Sequence, residues 1–346
     1  MKLATFRHED GTQSIGAVHR DDQMILDLTA AAGRHSRHPE VFRSMLALID
    51  GGDAALEEAR VLLQRHAGDD GVDLPLSSVQ LLSPLPEPRQ MRDGMSYELH
   101  IRQSGRGMRR LLAASDPAAL AAIDAEPLPA LPDIYRKIPI YYITNRMVVQ
   151  GHGATIRWPR YSRVMDYELE FGIVIGRNAK NVTVETAQEH IFGYTIFNDF
   201  SARDQQAQEM PGMLGPAKGK SFDGGNVLGP WIVTRDEIPD PYNLDAQVRI
   251  NGEIRCSSST GGMLFTFEHM LAHMSQDETV YAGEFIGSGT IGNGCGLETG
   301  AFLQDGDIVE LVIERIGSLA NRVEVDREQN LGGTGATKKC SRWSAN

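Results

Sequence analysis

The sequence predicts an α+β protein built around a strand-rich core. Two observations carry that prediction. Glycine-punctuated runs of β-type residues dominate from residue 90 onward, and helical periodicity is confined to a few short stretches. The regular strand–helix alternation of a doubly wound sheet is missing. At 346 residues the chain is long enough for one large domain with a smaller companion.

The elements follow in order. Leu3-Ala4-Thr5-Phe6, Ile15-Gly16-Ala17-Val18 and Met24 to Leu28 are short β-type runs. Glu9-Asp10-Gly11 and Asp21-Asp22 separate them, which predicts a small antiparallel meander. Residues 40–49 and 54–66 are predicted helical, the second from Leu56, Ala59, Leu62 and Leu63. Pro84, Pro86 and Pro88 exclude helix over Leu81 to Pro88. That stretch is expected to link an N-terminal domain, residues 1–85, to a catalytic domain, residues 90–325. Glu168 to Ile175 is a strand, and Thr183 with Glu185 opens a short helix ending near Gly193. Asn251-Gly252 between two strand-like arms signals a type I′ hairpin. Residues 264–275 form an amphipathic helix, and Asp307 to Ile316 alternates as a strand. The polar, glycine-rich tail 327–346 is expected to be mobile.

Composition removes several classes of function. With 41% hydrophobic and 23% charged residues, the chain is globular rather than disordered. Its 34 Lys+Arg against 46 Asp+Glu give a net charge of −12. Such a surface repels phosphate backbones, so neither nucleic acid nor an anionic membrane is expected as a partner. A small anionic substrate in a local basic pocket stays compatible. Cys256, Cys295 and Cys340 are too few and scattered for a disulfide framework. Their odd number fits a reducing compartment. The start is charged by Arg7, and no apolar run approaches the roughly 18 residues of a membrane span, so a cytoplasmic location is expected.

Five segments carry chemistry. In Asp166-Tyr167-Glu168-Leu169-Glu170-Phe171, strand alternation puts Glu168 and Glu170 on one face, with Cα atoms roughly 7 Å apart. Leu169, Phe171, Ile173 and Ile175 face a core. A divalent cation between the two carboxylates would remove their repulsion and take both as hard ligands. A solvated polar face is the other reading. Asp199 ends a β-rich run just before Ser201-Ala202-Arg203-Asp204, which should open a helix. Asp199 can complete an oxygen triad with the glutamates, or cap that helix. Gly219-Lys220-Ser221 is no phosphate-binding loop, because only three residues separate Gly215 from Gly219. Lys220 reads instead as a cation facing an anionic substrate, or as a surface lysine. Gly287-Ser288-Gly289-Thr290-Ile291-Gly292 matches a dinucleotide fingerprint, but Asn293-Gly294-Cys295-Gly296 cannot open the helix it requires. A loop whose N–H groups and Thr290 hydroxyl reach a ligand fits better. In Asp93-Gly94-Met95-Ser96-Tyr97-Glu98-Leu99-His100, the histidine suits a general base. Two further signals are weaker. His269 and His273 stand four apart but among Met270, Leu271 and Met274, which describe a packed helix, and Cys295 lacks the local signature of a nucleophile.

Asp166-Tyr-Glu-Leu-Glu170, Asn198-Asp-Phe-Ser-Ala-Arg-Asp204, Gly219-Lys-Ser-Phe-Asp223 and Gly287-Ser-Gly-Thr290 resemble, in that order and spacing, the fumarylacetoacetate hydrolase family over roughly residues 90 to 320. The resemblance implies a mixed β-roll or β-sandwich core and a homodimer. It also implies a divalent metal, usually magnesium, with manganese or calcium able to substitute. The implied reaction is cleavage of a C–C bond in a 1,3-dicarbonyl substrate, a 2,4-dioxo acid or β-diketone, in the catabolism of an aromatic or related compound. Glu168, Glu170 and Asp199 match the family's metal ligands, with Asp93 as a further one. His100 matches the catalytic histidine and Glu298 its carboxylate partner. Arg203, Gln206 and Lys220 match residues that stabilise developing negative charge. Arg109, Tyr142 and Thr290 match substrate contacts. Met95 and Met210 stand where fumarylacetoacetases carry substrate-binding tyrosines, and Gln103 replaces a lid glutamate of the smaller acylpyruvate hydrolases. These departures imply a substrate other than fumarylacetoacetate, with a more apolar acyl group. Decarboxylation, isomerisation or dehydration of a keto acid at the same site is the alternative. A non-catalytic binding protein on this scaffold would show a damaged metal set, and this sequence keeps all of it.

Overall fold

The computed structural model describes residues 1–325. The tail expected over 327–346, with Cys340, lies outside the described residues. Pairing begins with the first residues of the chain. Lys2–Arg7, Gln13–His19 and Met24–Asp27 form the expected meander, extended by Asp73–Pro75. Lys2–Arg7 also pairs antiparallel with Asn226–Thr234, Leu3 opposite Ile232. From there the sheet continues through Ile191–Asp199, Leu169–Ile175, Phe285–Gly287, Met91–Gly94 and Tyr141–Thr144. The first 85 residues therefore share a 12-stranded sheet with the strands that carry the chemistry. The proline-rich stretch redirects the chain but does not separate two sheets. The first strand is buried from both sides, its Leu3 in one core and its Ala4 and Phe6 in the other.

A second sheet of five strands orders as Glu253–Ser259, Asp245–Ile250, Ile308–Ile313, Gly317–Val325 and Thr155–Trp158. Asn251 and Gly252 turn its hairpin with φ of 53° and 83°, the left-handed pair that a type I′ turn requires. Parallel pairs within both sheets make the architecture mixed. One apolar core lies where the sheets face each other, with Phe171, Ile173 and Ile196 in the same cluster as Val248, Leu311 and Leu319. The second core covers the other face of the large sheet. There the helices Leu28–His35, Met45–Asp50 and Gly52–His66 bring Ala31, Leu48, Ala59 and Leu62 into one cluster with Leu3, Val174 and Phe197. The α+β class and its layered β core are as expected.

Element ends differ for local reasons. The helix expected over 40–49 is a turn, Pro39–Phe42, then a helix Met45–Asp50, because Ser44 accepts from the Ala47 N–H (3.1 Å) and starts the helix anew. Gly193 lies inside the strand Ile191–Asp199, at a position where a Cβ would stand 2.3 Å from the Val233 carbonyl oxygen. Phe267–Met274 is the packed helix its sequence describes, and its His269 Nδ1 lies 2.8 Å from the Thr266 hydroxyl. Because Phe6 is fully buried in the core between the sheets, Phe6→Ala should lower stability by about 3–5 kcal/mol. Denaturant or thermal unfolding measures this, and a loss below about 1 kcal/mol would mean that the first strand is not integral to the fold.

Candidate active site

Sheet register gathers the site. Directly opposed residues share a face. Glu170 lies opposite Phe197, two residues before Asp199. Gly172 lies opposite Gly287, which in turn pairs with Asp93. Glu170, Asp199 and Asp93 therefore project from one face at one end of the large sheet. Further along that face the side chains are apolar, Val174 and Phe285 among them. Gly287 leaves the necessary space, because a Cβ there would stand 2.5 Å from Asp93 Oδ1.

Ligand atoms of Asp93, Glu170 and Asp199 lie within 4.8 Å of one another, and all three residues are buried. Thr290 Oγ1 donates to Glu170 Oε1 (3.3 Å), the Tyr142 hydroxyl to Asp199 Oδ2 (2.5 Å), and the Gly289 N–H to Asp93 Oδ1 (3.3 Å). Glu170 Oε2 and Asp199 Oδ1 are buried with no hydrogen-bond partner among the described residues. Orphaned carboxylate oxygens cost several kcal/mol unless a cation or proton meets them. This donor set of hard oxygens fits a divalent cation.

Glu168 borders that cluster, joined to Asp199 through the shared Lys220 Nζ. It precedes the strand, in a bridge with Cys295, and its carboxylate accepts from Arg203 Nη2 (2.8 Å) and from Lys220 Nζ. Lys220 Nζ also donates to Asp199 Oδ2 (2.6 Å). Arg203 Nε donates to Asp166 (2.8 Å), and its Nη1 to Gln206 Oε1 (2.9 Å). Lys220 and Arg203, expected to hold developing charge on a substrate, are thus paired with protein carboxylates, while Gln206 accepts from Arg203 through Oε1.

Protonation follows the same division. Burial, with the Asp199 charge behind it, pushes Asp93 up to about 8. Asp199 itself rises to about 6, burial outweighing the pull of Lys220. Glu170 rises well above the usual range, from burial and then the Asp93 charge. Glu168 goes the other way, because against its burial Lys220 and Arg203 hold it well below the ordinary carboxylate range.

The acid–base pair sits beside this cluster. His100 lies in the first turn of the helix Glu98–Leu112, its Nδ1 3.2 Å from Glu298 Oε1. Glu298 sits in the short helix Gly296–Thr299, and its Oε2 accepts from the Cys295 N–H (3.0 Å). The long helix docks on this segment at two further points. Gln103 Nε2 donates to Asn293 Oδ1 (2.8 Å), and a Cβ on Gly107 would stand 2.0 Å from the Leu297 carbonyl oxygen.

One organising residue escaped sequence reasoning. Asp166 accepts from the N–H groups of Gly296 (2.7 Å) and Leu297 (2.8 Å) as well as from Arg203, so it ties the Glu298 segment to the buried arginine. Its parity with Glu168 and Glu170 at the start of the motif was the available signal. Two expected substrate contacts, Arg109 and Met210, lie away from the cluster, and Met95 lies beside it against Gly289. Arg109 is half-exposed and pairs with Glu126 (2.6 Å). Met210 is exposed in the turn Met210–Gly212. Met95 is partly buried, next to the Asp93 strand, with its N–H bonded to the Ile140 carbonyl (3.0 Å).

Fold and site together define a class of enzyme, one in which buried carboxylates suited to a divalent cation lie beside a histidine–glutamate pair. The fumarylacetoacetate (FAA) hydrolase C-terminal family model matches residues 92–324, and the chain belongs to that family. Oxaloacetate tautomerase YisK of Bacillus subtilis (strain 168) is 30% identical over 311 residues, covering 88% of this chain and 94% of that one. A mitochondrial oxaloacetate tautomerase of Xenopus laevis is 30% identical over 326 residues, covering 93% and 90%. The solved structure of fumarylacetoacetate hydrolase from psychrophilic Exiguobacterium antarcticum matches with a TM-score of 0.66 at 28% identity, covering 94% of this chain and 100% of that one. No described helix is long and apolar enough to cross a membrane.

Two predictions follow from the geometry. Asp93 and Asp199 have folded values, about 8 and about 6, above their ordinary 3.8, so the stability they contribute is present in acid and lost as pH rises through those values. Metal-free protein should therefore melt at falling temperature from about pH 5 to about pH 9, and the rise in Tm on adding magnesium or manganese should grow over the same range. A cation effect independent of pH would contradict this assignment. Gly107→Ala should cost about 1–3 kcal/mol, because the obstructing atom is backbone and cannot turn aside. Unchanged thermal unfolding would show that the helix is not docked on Leu297 in solution.

Proposed function

We propose that this protein is a divalent-cation-dependent tautomerase or isomerase that moves a proton in a small β-keto dicarboxylate of the oxaloacetate type. One observation carries the reading. The buried His100–Glu298 pair stands ready, while Lys220 and Arg203 are held by buried carboxylates. Proton transfer needs only a positioned base of suitable pKa. C–C hydrolysis also needs donors aimed at an oxyanion. The two tautomerase relatives, matched over most of their length, support the same choice.

Asp93, Glu170 and Asp199 would hold the cation, magnesium or one of its oxygen-seeking substitutes manganese and calcium, which when bound supplies Lewis acidity toward the oxygens of a 1,3-dicarbonyl. Glu298 accepts from His100 Nδ1–H and so favours the tautomer with an unprotonated Nε2. Nε2 takes the proton from the carbon between the carbonyls, Glu298 stabilises the imidazolium, and the proton is returned to the enol oxygen. In the reverse direction the same nitrogen delivers it to carbon. Burial of the pair excludes bulk water from the exchange. A homodimer is part of this reading, supported by bare apolar side chains such as Met147, Met213 and Leu214.

Hydrolysis of a 2,4-dioxo acid or β-diketone is the second reading. It is favoured by the same histidine–glutamate pair, which also suits activation of water. One experiment separates the two. Enol-oxaloacetate and a panel of 2,4-dioxo acids are mixed with metal-free protein, with and without magnesium. Enol absorbance is followed and products are quantified. We expect magnesium-dependent loss of the enol band with total oxaloacetate conserved. Acid products from a dioxo acid would make the protein a hydrolase, and stoichiometric pyruvate with carbon dioxide would make it a decarboxylase. His100→Gln should lower kcat by about 10²–10⁴-fold while the magnesium-induced rise in Tm persists. Full activity in that variant would remove His100 from the chemistry.

A further inference from the structure

Cys295 has no part in the proton transfer above, yet it is placed as a ligand. Its Sγ, a ring nitrogen of His100 and a carboxylate oxygen of Glu298 all lie within 4.8 Å of one another. None of the three belongs to the Asp93–Glu170–Asp199 cluster. The side chains of His100 and Glu298 are 5% and 0% exposed, and Cys295 is fully buried. The donors are a nitrogen, a sulfur and an oxygen, where the neighbouring cluster offers only hard oxygens.

We propose that His100, Cys295 and Glu298 form a second metal site, selective for a thiophilic dication of the zinc class, and that its occupation silences the acid–base pair. Geometry supports this first. Zinc bond lengths of about 2.0–2.3 Å set the edges of its tetrahedron at about 3.3–3.7 Å. The His100–Glu298 contact is already 3.2 Å, and the sulfur has about an ångström or less to travel. The site is also braced. Asp166, outside the triad, accepts from the N–H groups of Gly296 and Leu297 in the segment that carries both Cys295 and Glu298, and Cys295 N–H holds Glu298 Oε2. Three protein ligands leave a fourth position for water or a substrate oxygen. Access is shared with chemistry, because a substrate that reaches His100 opens the same path to a small ion.

Ligand hardness keeps the two sites distinct. Magnesium does not compete for a thiolate, whereas zinc takes sulfur and imidazole readily. On binding, the His100 proton shifts from Nδ1 to Nε2, and the Cys295 thiol proton leaves to solvent as the metal–sulfur bond forms. The His100 lone pair and the Glu298 carboxylate are then both committed to the ion. Neither can exchange a proton with substrate. The inhibitory consequence rests on the proposed acid–base reading, but the binding does not.

Cadmium serves as the spectroscopic probe. It is titrated into the full-length, magnesium-saturated protein while the ultraviolet metal–thiolate band is followed. The band is expected in the native sequence, in Cys256→Ser and in Cys340→Ser, and is expected to vanish in Cys295→Ser. Zinc should inhibit the magnesium-loaded enzyme, and Cys295→Ser should raise the half-inhibiting zinc concentration by at least about tenfold. Should Cys295→Ser fold poorly by thermal unfolding, His100→Asn provides the second test, with a cadmium affinity weakened by a similar factor. No band, or a band that survives in Cys295→Ser, overturns the site. A Cys295-dependent band with zinc-insensitive turnover keeps the site but overturns the silencing, and turns against His100 as the base. If no turnover is found with any substrate, the band alone decides the site, and the functional reading fails separately.

Discussion

Buried negative charge is the constraint on which the rest of the structure depends. Asp93, Asp166, Glu168, Glu170 and Asp199 are each at most 4% exposed, and the buried cations they contact are Arg203 and Lys220. Five carboxylates against two cations leave an excess that low-dielectric surroundings make costly. A dication and a proton together would neutralise that excess. The upward shifts of Asp93, Glu170 and Asp199 express the same imbalance when protons alone must meet it. Such a cluster survives only where its strands cannot relax away from one another. Cores on both faces of the large sheet supply that rigidity, and the first strand of the chain, paired with Asn226–Thr234, is part of it.

The positive charges near the site are distributed by the same logic. Arg203 and Lys220 neutralise Asp166, Glu168 and Asp199. The arginines around the His100 helix hold its surroundings together. Arg102 Nε reaches the Pro129 carbonyl (2.8 Å), Arg136 reaches Glu98 (2.8 Å) and Arg109 reaches Glu126 (2.6 Å). Exposed pairs of this kind contribute little stability singly, but several of them fix the helix that carries His100. In this structure these three arginines act as latches on the helix.

This explains which parts were legible in the sequence. The strand Leu169–Ile175 was legible with its faces, because period-two alternation puts Leu169, Phe171, Ile173 and Ile175 on one side, and these four do join one core. The carboxylates of the cluster were legible as residue types in motifs. Their partners were not, since register decides them. Asp93 reaches the cluster where Gly287 pairs beside it, and Glu168 meets Arg203 and Lys220, the latter shared with Asp199. The continuity of the sheet through residues 1–85 was hidden for a similar reason. A proline-rich stretch reads alike whether it joins two domains or two strands of one sheet, and Leu3 meets Ile232 from the other end of the sequence. Arg109 shows the same limit on a helix, where a motif position does not reveal which face meets solvent.

Asp199 shows why one scaffold can serve both proton transfer and bond cleavage. Its Oδ2 is already shared by the Tyr142 hydroxyl and Lys220, while its Oδ1 is unpartnered. A cation can take Oδ1 without displacing Lys220 from Oδ2. Lys220 then stays on Asp199 and Glu168 and is withheld from any oxyanion. Hydrolysis would require that lysine to exchange two carboxylates for a substrate oxygen, at the expense of a buried charge pair, and breaking such a pair typically costs about 3–5 kcal/mol. Keto–enol exchange as proposed carries no such requirement, because it asks only for the His100–Glu298 pair. Where positive charge is already committed, the proposed chemistry is the one that needs the least of it.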